Sequence, residues 1–527
     1  MQGLRQWVSA GAMAWLIAVA PAFAQEALKP PAAPKFEIQR FIVEGNTLLP
    51  REEVDAIVAP FAGKDRDFGF VQRALEALEE AYVSRGYSAV RVLIPEQDLV
   101  AGQVRLQVIE ARVRNVRVEN NRFFDEANVR AGLPALVPGE PPNTRRIGDN
   151  AQLVNENPAK QVNVRLEPTD QVGQVDAVVR VTDNDPSRVT LFADNSGNSA
   201  TGQFRAGAGY QNANVGNLDH VLNAQYILSP TRLNDVTILG VGYRVPVYPW
   251  GGAVDAVFGY SDVNSGTVQD LFAVSGKGTI FGLRYSQILP RIEAYEQKLV
   301  LGLDYRAFKQ NVVLIGTTGT LVPDITIHPV SLTYNGRWSR VGRDLSFFGS
   351  ASRNISGGSD GGQPAFTAQR AGAEARYTVF RFGAAYTHAL EGDLLLRAAF
   401  NAQYTDDLLI PGEQFGMGGA DSVRGFHERD AVNDRGYRYS AEAYLPDFGT
   451  QIGAGWRGRA VVFYDGAQGK DNVPQRNARN GLAGAGIGVR ISQGRSLSLR
   501  ADWAVVMNGA NRPTGSNRLH FAVAYSF

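Results

Sequence analysis

The chain contains no cysteine, and this absence excludes several kinds of site at once. Without thiols there are no disulfides, no thiolate-ligated metal and no lipid-modified cysteine as an anchor. Histidine is scarce, and the five residues at positions 220, 328, 388, 427 and 520 lack the spacing of a metal site. A phosphate-binding glycine loop is also missing from the sequence. We therefore predict neither a metal nor a cofactor.

An excess of charge of one sign is absent as well. The 53 basic and 52 acidic residues nearly cancel, so bulk electrostatics would not attract a nucleic acid. We predict that nucleic acid is not a partner.

Long hydrophobic runs are confined to the N-terminus. Arg5, the apolar segment 8–20 and the small residues Ala22 and Ala24 have the pattern of a cleaved export signal over residues 1–24. A transmembrane anchor is the alternative, but it requires about 20 apolar residues and this segment is shorter. Beyond residue 24 no run of 18 apolar residues occurs. A membrane-embedded mature chain must therefore cross as a closed β-barrel.

One catalytic motif is matched in sequence but not in its predicted structural context. Residues 357–361 match the pattern G-x-S-x-G, which requires a strand before the serine and a helix after it. The surrounding stretch is rich in glycine and serine and is predicted to be a hairpin tip. The sequence therefore predicts a protein that is not an enzyme.

The first part of the mature chain mixes helical and strand patterns. Residues 25–35 are rich in proline and alanine and are predicted to be a linker. In residues 36–111 a strand is followed by two helices and two strands. The second helix is the clearest of these elements, because Val71, Leu75 and Leu78 recur at helical spacing.

The same order of elements recurs, less clearly, in residues 112–183. Two successive β-α-α-β-β units suggest a tandem repeat. The periodicity changes sharply near Asp183, which predicts separable folding units on either side.

Residues 187–527 alternate apolar side chains with polar or small ones in stretches of about ten residues. Leu396 and Phe400, for example, fall on one face of a strand, and Arg397 and Asn401 fall on the other. A soluble sandwich would alternate too, but here the polar face carries many glycines and no helical cover is available. About 340 residues at roughly 20 per strand and turn predict an all-β transmembrane barrel of about 16 antiparallel strands.

The last predicted strand ends the chain with an aromatic residue. Tyr525 and Phe527 lie on its apolar face, and a terminal aromatic on an alternating strand resembles the assembly signal of bacterial outer-membrane proteins. That resemblance implies two partners, the outer-membrane lipids and the barrel-assembly machinery.

Two β-α-α-β-β units before such a barrel resemble the two-partner secretion transporters, the family of the haemolysin and filamentous haemagglutinin exporters. The units would be POTRA domains, residues 36–111 and 112–183, as in the larger BamA-type superfamily. The most specific match is Val423-Arg424-Gly425-Phe426, which is similar to the motif of the loop that this superfamily inserts into its lumen. It lies in a long segment between strands, about residues 406–436.

A second match, Phe463-Tyr464-Asp465-Gly466, resembles the strand motif that contacts this loop. Alternation places Phe463 and Asp465 on the lumen face. On the next strand the same face carries three glycines, which leave space for a loop against the wall: Gly484, Gly486 and Gly488. We therefore predict an ion pair between Arg424 and Asp465, with Glu442 as the next candidate partner.

The resemblance implies an outer-membrane pore with POTRA domains in the periplasm. These would capture an exported, unfolded partner protein, which the resemblance implies to be rich in β-helix, and the barrel would secrete it. The alternative is a barrel-assembly factor of the same superfamily, which usually carries more POTRA domains. Some members have an N-terminal helix that plugs the pore, but Pro30, Pro31 and Pro34 break the corresponding segment here.

Overall fold

The computed structural model describes residues 34–98, 101–197, 202–233, 236–263, 267–268, 272–273, 276–309, 324–473, 479–509 and 512–527. The predicted signal and most of the predicted linker lie outside these residues. Within the described part, no helix is both long enough and apolar enough to span a membrane.

The first unit has the predicted order of elements with one addition. Strands β2 and β5 pair in parallel and β4 completes a three-stranded sheet in the order β2–β5–β4. A short strand between the helices, β3, pairs with β1 and was not predicted from the sequence. The elements are β1 (Phe36–Ile38), β2 (Arg40–Glu44), α1 (Arg51–Val58), β3 (Gly63–Arg66), α2 (Phe68–Ser84), β4 (Val90–Leu93) and β5 (Gln103–Glu110).

The second unit repeats the order β-α-α-β-β. Its sheet has the order β6–β8–β7, so β7 is an outer strand. Both helices begin at a polar N-cap, where Asp125 and Asn143 accept hydrogen bonds from backbone N–H groups three residues later. The elements are β6 (Arg112–Glu119), α3 (Glu126–Ala131), α4 (Thr144–Val154), β7 (Lys160–Pro168) and β8 (Gln174–Asp183).

The rest of the described chain forms a closed antiparallel barrel. Its wall, as described, consists of 16 strands when β18 and β19, which are separated only by His328, are counted as one. The first and last wall strands close it through Thr190–Asp194 and Ala522–Ser526. The elements are β9 (Ser187–Asp194), β10 (Arg205–Val215), β11 (His220–Leu228), β12 (Thr237–Val247), β13 (Gly252–Val263), β14 (Thr267–Val268), β15 (Phe272–Ala273), β16 (Gly276–Ile292), β17 (Tyr295–Lys309), β18 (Ile325–Ile327), β19 (Pro329–Arg340), β20 (Arg343–Asn354), α5 (Gln363–Gln369), β21 (Thr378–Ala389), β22 (Leu395–Tyr404), β23 (Phe415–Met417), β24 (Ala431–Asn433), β25 (Arg435–Tyr444), α6 (Gly449–Ile452), β26 (Trp456–Lys470), β27 (Arg479–Gln493), β28 (Leu497–Asn508) and β29 (Asn517–Ser526).

The second unit and the barrel share a core, which corrects the prediction of separable folding units, although the change from one fold to the other does fall between β8 and β9. The core of the second unit includes Ala213 and Val221 from the first barrel hairpin. Lys160 is buried and donates to Asp219, in the turn of that hairpin, at 2.6 Å. Tyr248, from the next turn at the same end, donates to the same carboxylate at 2.5 Å. Burial lowers the pKa of Lys160, and the Asp219 carboxylate opposes that shift.

The stretch 357–361 is not the simple hairpin tip that the sequence predicted. It lies between strand β20 and helix α5. That helix is stabilised by burial of Phe366 against residues distant in the sequence. Ser359 at its centre is exposed, and among the described residues no histidine or carboxylate forms a hydrogen bond with it.

Candidate functional site

The segment 405–434, which we call the lumen loop, joins β22 to β25 and folds back into the barrel. Strands β23 and β24 pair within it, from Phe415 opposite Asn433 to Met417 opposite Ala431. The turn beyond them needs glycine, since Gly418 and Gly419 have φ values of 99° and 114°. The loop therefore has a defined structure of its own.

Arg424 binds the barrel wall through a buried, two-point ion pair. Its Nε and Nη2 donate to the two carboxylate oxygens of Asp465 at 2.7 and 2.8 Å, and its backbone N–H donates to the same group at 3.1 Å. Both side chains are buried, at 3% and 0% exposure. This paired, charge-assisted geometry is the strongest form of ion pair that side chains make. The ion pair predicted between these two residues is thus present.

Two further carboxylates and an aromatic ring complete the surroundings of the guanidinium group. Nη1 lies 2.9 Å from Glu442 and 3.7 Å from Asp502. The guanidinium carbon lies 3.4 Å from the centre of the Phe463 ring, within cation–π range. Glu442, predicted as a substitute partner, is instead an additional one. Asp502 was missed, although strand alternation alone places it on the lumen face with Arg500.

The other motif residues seat the tip of the loop. Val423 and Phe426 are buried in an apolar cluster with Met417, Leu482 and Val506. The backbone N–H of Gly425 donates to Nε2 of His520 at 3.0 Å. Nothing in the sequence around His520, on the last strand, indicated this contact.

The three glycines of β27 make room for three different groups. A Cβ at Gly484 would lie 2.1 Å from the carbonyl oxygen of Arg424, so this position does leave space for the loop. A Cβ at Gly486 would lie 2.0 Å from the carbonyl oxygen of Trp503 and 2.7 Å from the Phe463 ring, and one at Gly488 would lie 2.0 Å from Asp502. Of the three glycines, only Gly484 therefore makes room for the loop itself.

Strand parity around Asp465 agrees with the prediction. Phe463 and Asp465 are buried, at 5% and 0% exposure, whereas Val462 and Tyr464 are exposed at 46% and 43%. The last two face outward with the other large apolar side chains of the wall, which is the lipid side.

Lumen arginines also bind the loop. Arg306 donates to Glu413 at 2.7 Å and Arg381 donates to the same carboxylate at 3.3 Å. Arg500 binds Asp421 and the backbone of the loop. Strand alternation places Arg306 and Arg500 on the lumen face, and in the structure both side chains contact the loop.

The predicted assembly residues lie at the closure of the barrel. Tyr525 is paired opposite Leu191 of the first wall strand. The backbone of Phe527 exchanges two hydrogen bonds of 3.0 Å with Val189, and its ring is exposed toward the lipid side.

Comparisons with known proteins agree with this architecture. The family model described as haemolysin secretion/activation protein ShlB/FhaC/HecB matches residues 173–491, and the model of the ShlB-type POTRA domain matches residues 36–111. The outer membrane transporter CdiB of Escherichia coli O6:K15:H31 is 24% identical over 88% of this chain and 77% of its own length. The heme/hemopexin transporter protein HuxB of Haemophilus influenzae is 19% identical over 88% of this chain and 81% of its own.

Solved structures show the same fold. CdiB from Escherichia coli superposes with a TM-score of 0.78 at 20% identity, covering 96% of this chain and 93% of its own. CdiB from Acinetobacter baumannii gives a TM-score of 0.72 at 15% identity, with the same coverage.

Proposed function

Because the chain belongs to the haemolysin secretion/activation family of ShlB, FhaC and HecB, we propose that its POTRA domains capture one unfolded partner polypeptide and that its barrel secretes it. The chain is an outer-membrane transporter with its POTRA domains in the periplasm, and it acts with a secreted partner protein. The secretion family's model covers more than half of the chain, which favours this function over barrel assembly.

The observation that carries the proposal is a lumen filled by a polypeptide segment held through side-chain contacts. A space that accommodates the lumen loop has the width that an extended chain requires. The bonds of Arg424 and Glu413 fix the loop in this closed arrangement, and their release would leave an aqueous path. We infer that Val423, Arg424, Gly425 and Phe426, with their contacts on Phe463 and Asp465, hold the closed state.

Capture by strand addition suits the outer strand β7. Val162 cannot accept a new strand, because its backbone N–H and C=O are both bonded to the amide of Asn155. By alternation, the backbone N–H and C=O groups of Val164 and Leu166 also point away from β8. Among the described strands, β8 is the one that pairs with β7. An extended peptide can pair with these groups. A cavity of about 920 Å³ lined by β7, α4 and the barrel wall lies beside them.

Val164→Pro is expected to lower secretion of the partner at least roughly fivefold, because it removes an outward N–H worth about 1 kcal/mol as a hydrogen-bond donor. Proline is tolerated on an outer strand whose N–H faces away from its sheet. Release of the co-expressed partner into the medium is the measurement. Val164→Ala, which keeps the N–H, is the matched control and should secrete normally. Equal secretion by both variants would show that β7 is not the capturing edge.

The partner itself is proposed to be rich in β-helix, since repeated strands can add and fold in succession once outside. The gene adjacent to this one in its genome provides the check. A large secreted protein with β-helix repeats supports the proposal, and the absence of such a protein from the strain's secreted fraction contradicts it.

Tyr525 and Phe527 are proposed to be the signal read by the barrel-assembly machinery. Phe527→Asp is expected to reduce the amount of inserted barrel severalfold, because it removes the terminal aromatic ring, whereas a charge on the lipid side near the interface by itself costs at most about 1 kcal/mol. Heat-modifiable mobility on gels measures insertion. Molecules that do insert should secrete at the normal rate per barrel. An unchanged yield would refute the assigned signal.

A further inference from the structure

A second buried carboxylate, Asp434, lies at the end of the lumen loop next to β25. Its side chain is 0% exposed and accepts hydrogen bonds from the backbone N–H of Leu409 at 3.1 Å and of Asn472 at 2.8 Å. The Arg370 guanidinium group and the Gln414 amide also donate to it, with Arg370 Nη2 at 3.1 Å from Oδ2, Arg370 Nη1 on Oδ1 and Gln414 Nε2 at 3.2 Å from Oδ1. One carboxylate thus joins three segments of the chain: the lumen loop, the segment after β26 and the segment between β20 and β21.

Arg370 is fixed in turn by a small apolar core at this end of the barrel. It follows helix α5, whose Phe366 is fully buried, and its Nη1 also donates to the carbonyl of Leu409 at 2.7 Å. Leu409 and Ile410 of the lumen loop belong to the same core. The members of the core are Phe308, Ile325, Ile327, Phe366, Ala373, Ala375, Tyr377, Val379, Leu409 and Ile410.

Together with Glu413 between Arg306 and Arg381, these contacts form what we call the outer set. The outer set and the Arg424 site share no residue. The turns at the other end of the barrel contact the second POTRA domain, so the outer set lies at the cell-surface end. Its ion pair is also the less buried one: the Arg370 side chain is 18% exposed, against 3% for Arg424. Water screens the Arg370–Asp434 pair more strongly, so this pair binds the loop more weakly than the Arg424–Asp465 pair does.

We propose that the lumen loop is held by two independent sets of contacts and that the outer set, centred on Arg370 and Asp434, is a separate gate for exit of the polypeptide at the cell surface. Release of the outer set frees the covering segment between β20 and β21 while Arg424 remains bound to Asp465. This gate rests on the proposed secretion function, since it regulates exit through the same lumen.

The test uses the full-length protein in planar bilayers, without the partner, and counts channel openings. Arg370→Ala is expected to raise the opening frequency about tenfold or more, since buried Asp434 loses the one cation that pairs with it among the described residues. Arg376→Ala is the matched control, because Arg376 lies on the same segment but is exposed, and its one hydrogen bond to a described residue is to Ser356 Oγ at 3.2 Å. Arg370→Lys, which keeps the charge but loses the paired geometry, should fall between wild type and alanine.

Independence of the two sets is tested by combining Arg370→Ala with Arg424→Ala. The fold-changes in opening frequency should multiply to within about twofold, as for sites that share no partner. A larger departure overturns the proposal, as does an unchanged opening frequency in Arg370→Ala. Failure of Arg370→Ala to insert also overturns it, because a gate separate from the wall must be dispensable for barrel assembly. The proposed function fails on a different result, namely no partner release by the wild-type chain.

Discussion

Replacement of Arg424 by alanine is expected to abolish most partner secretion and to leave the barrel inserted. The substitution leaves Asp465, Glu442 and Asp502 together in the lumen wall without the cation that lies within 4 Å of all three. Breaking a buried pair by removing one partner costs about 3–5 kcal/mol, so the loop is expected to leave its position on the wall. A loop that cannot return to this position cannot alternate between a closed and an open lumen, so secretion falls although the channel is no longer closed by the loop. Secretion, channel conductance and protease cleavage of the loop are the three measurements.

The partners of Arg424 should rank in a fixed order. Asp465→Ala removes the two-point contact but leaves two carboxylates, so its effect is expected to be smaller than that of Arg424→Ala. Glu442→Ala should have the smallest effect of the three. Arg435→Ala is the control within the same region, since its pair with Asp406 is largely exposed and is worth roughly 0–1 kcal/mol.

A double-mutant cycle on protease cleavage of the loop measures the pairing directly. Arg424→Ala and Asp465→Ala together should cost much less than the sum of the two single changes, since either one already breaks the contact. Strict additivity would mean that the two residues act separately despite their 2.7 Å contact.

Lys160→Ala is expected to loosen the second POTRA domain from the barrel. It leaves the Asp219 carboxylate, 1% exposed, with Tyr248 but without a cation, at a cost of about 3–5 kcal/mol. The measurements are the temperature at which the folded gel mobility is lost and the rate of proteolysis between β8 and β9. Arg165→Ala, on the same strand but exposed, is the control.

Substituting both partners distinguishes loss of the ion pair from loss of packing. Lys160→Met combined with Asp219→Asn removes both charges and is expected to recover much of the lost stability, because neither charge is then buried alone. Equal damage in the single and double variants would assign the effect to side-chain packing instead.

Local periodicity was sufficient to predict the two β-α-α-β-β units and the barrel wall, because each element there presents one apolar face to one environment. Parity along β26 placed Asp465 correctly in the lumen for the same reason. Strand β3 escaped prediction because its four residues have no apolar alternation and are ordered by pairing with β1.

Contacts that join distant segments could not be predicted in the same way. Asp434 gathers donors from residues 370, 409 and 472, and nothing in its neighbouring sequence distinguishes it from an exposed loop aspartate. Helix α5 is likewise stabilised by burial of Phe366 against residues far along the chain, which local composition does not reveal. The sharp change of pattern near Asp183 was real, but a change of pattern does not exclude a shared core.

The join between the second POTRA domain and the barrel also determines how a mechanical load is transmitted. Only residues 184–186 separate β8 from β9, and Lys160, the first residue of β7, is bonded to the turn between β10 and β11. A chain paired to β7 and under tension therefore pulls on the first barrel hairpin without an intervening flexible tether. That hairpin pairs with β9, and β9 closes the wall with β29 over only five residue pairs. Tension on a captured polypeptide is thus transmitted through paired strands and a short turn to the shortest strand pairing of the described wall, between β9 and β29.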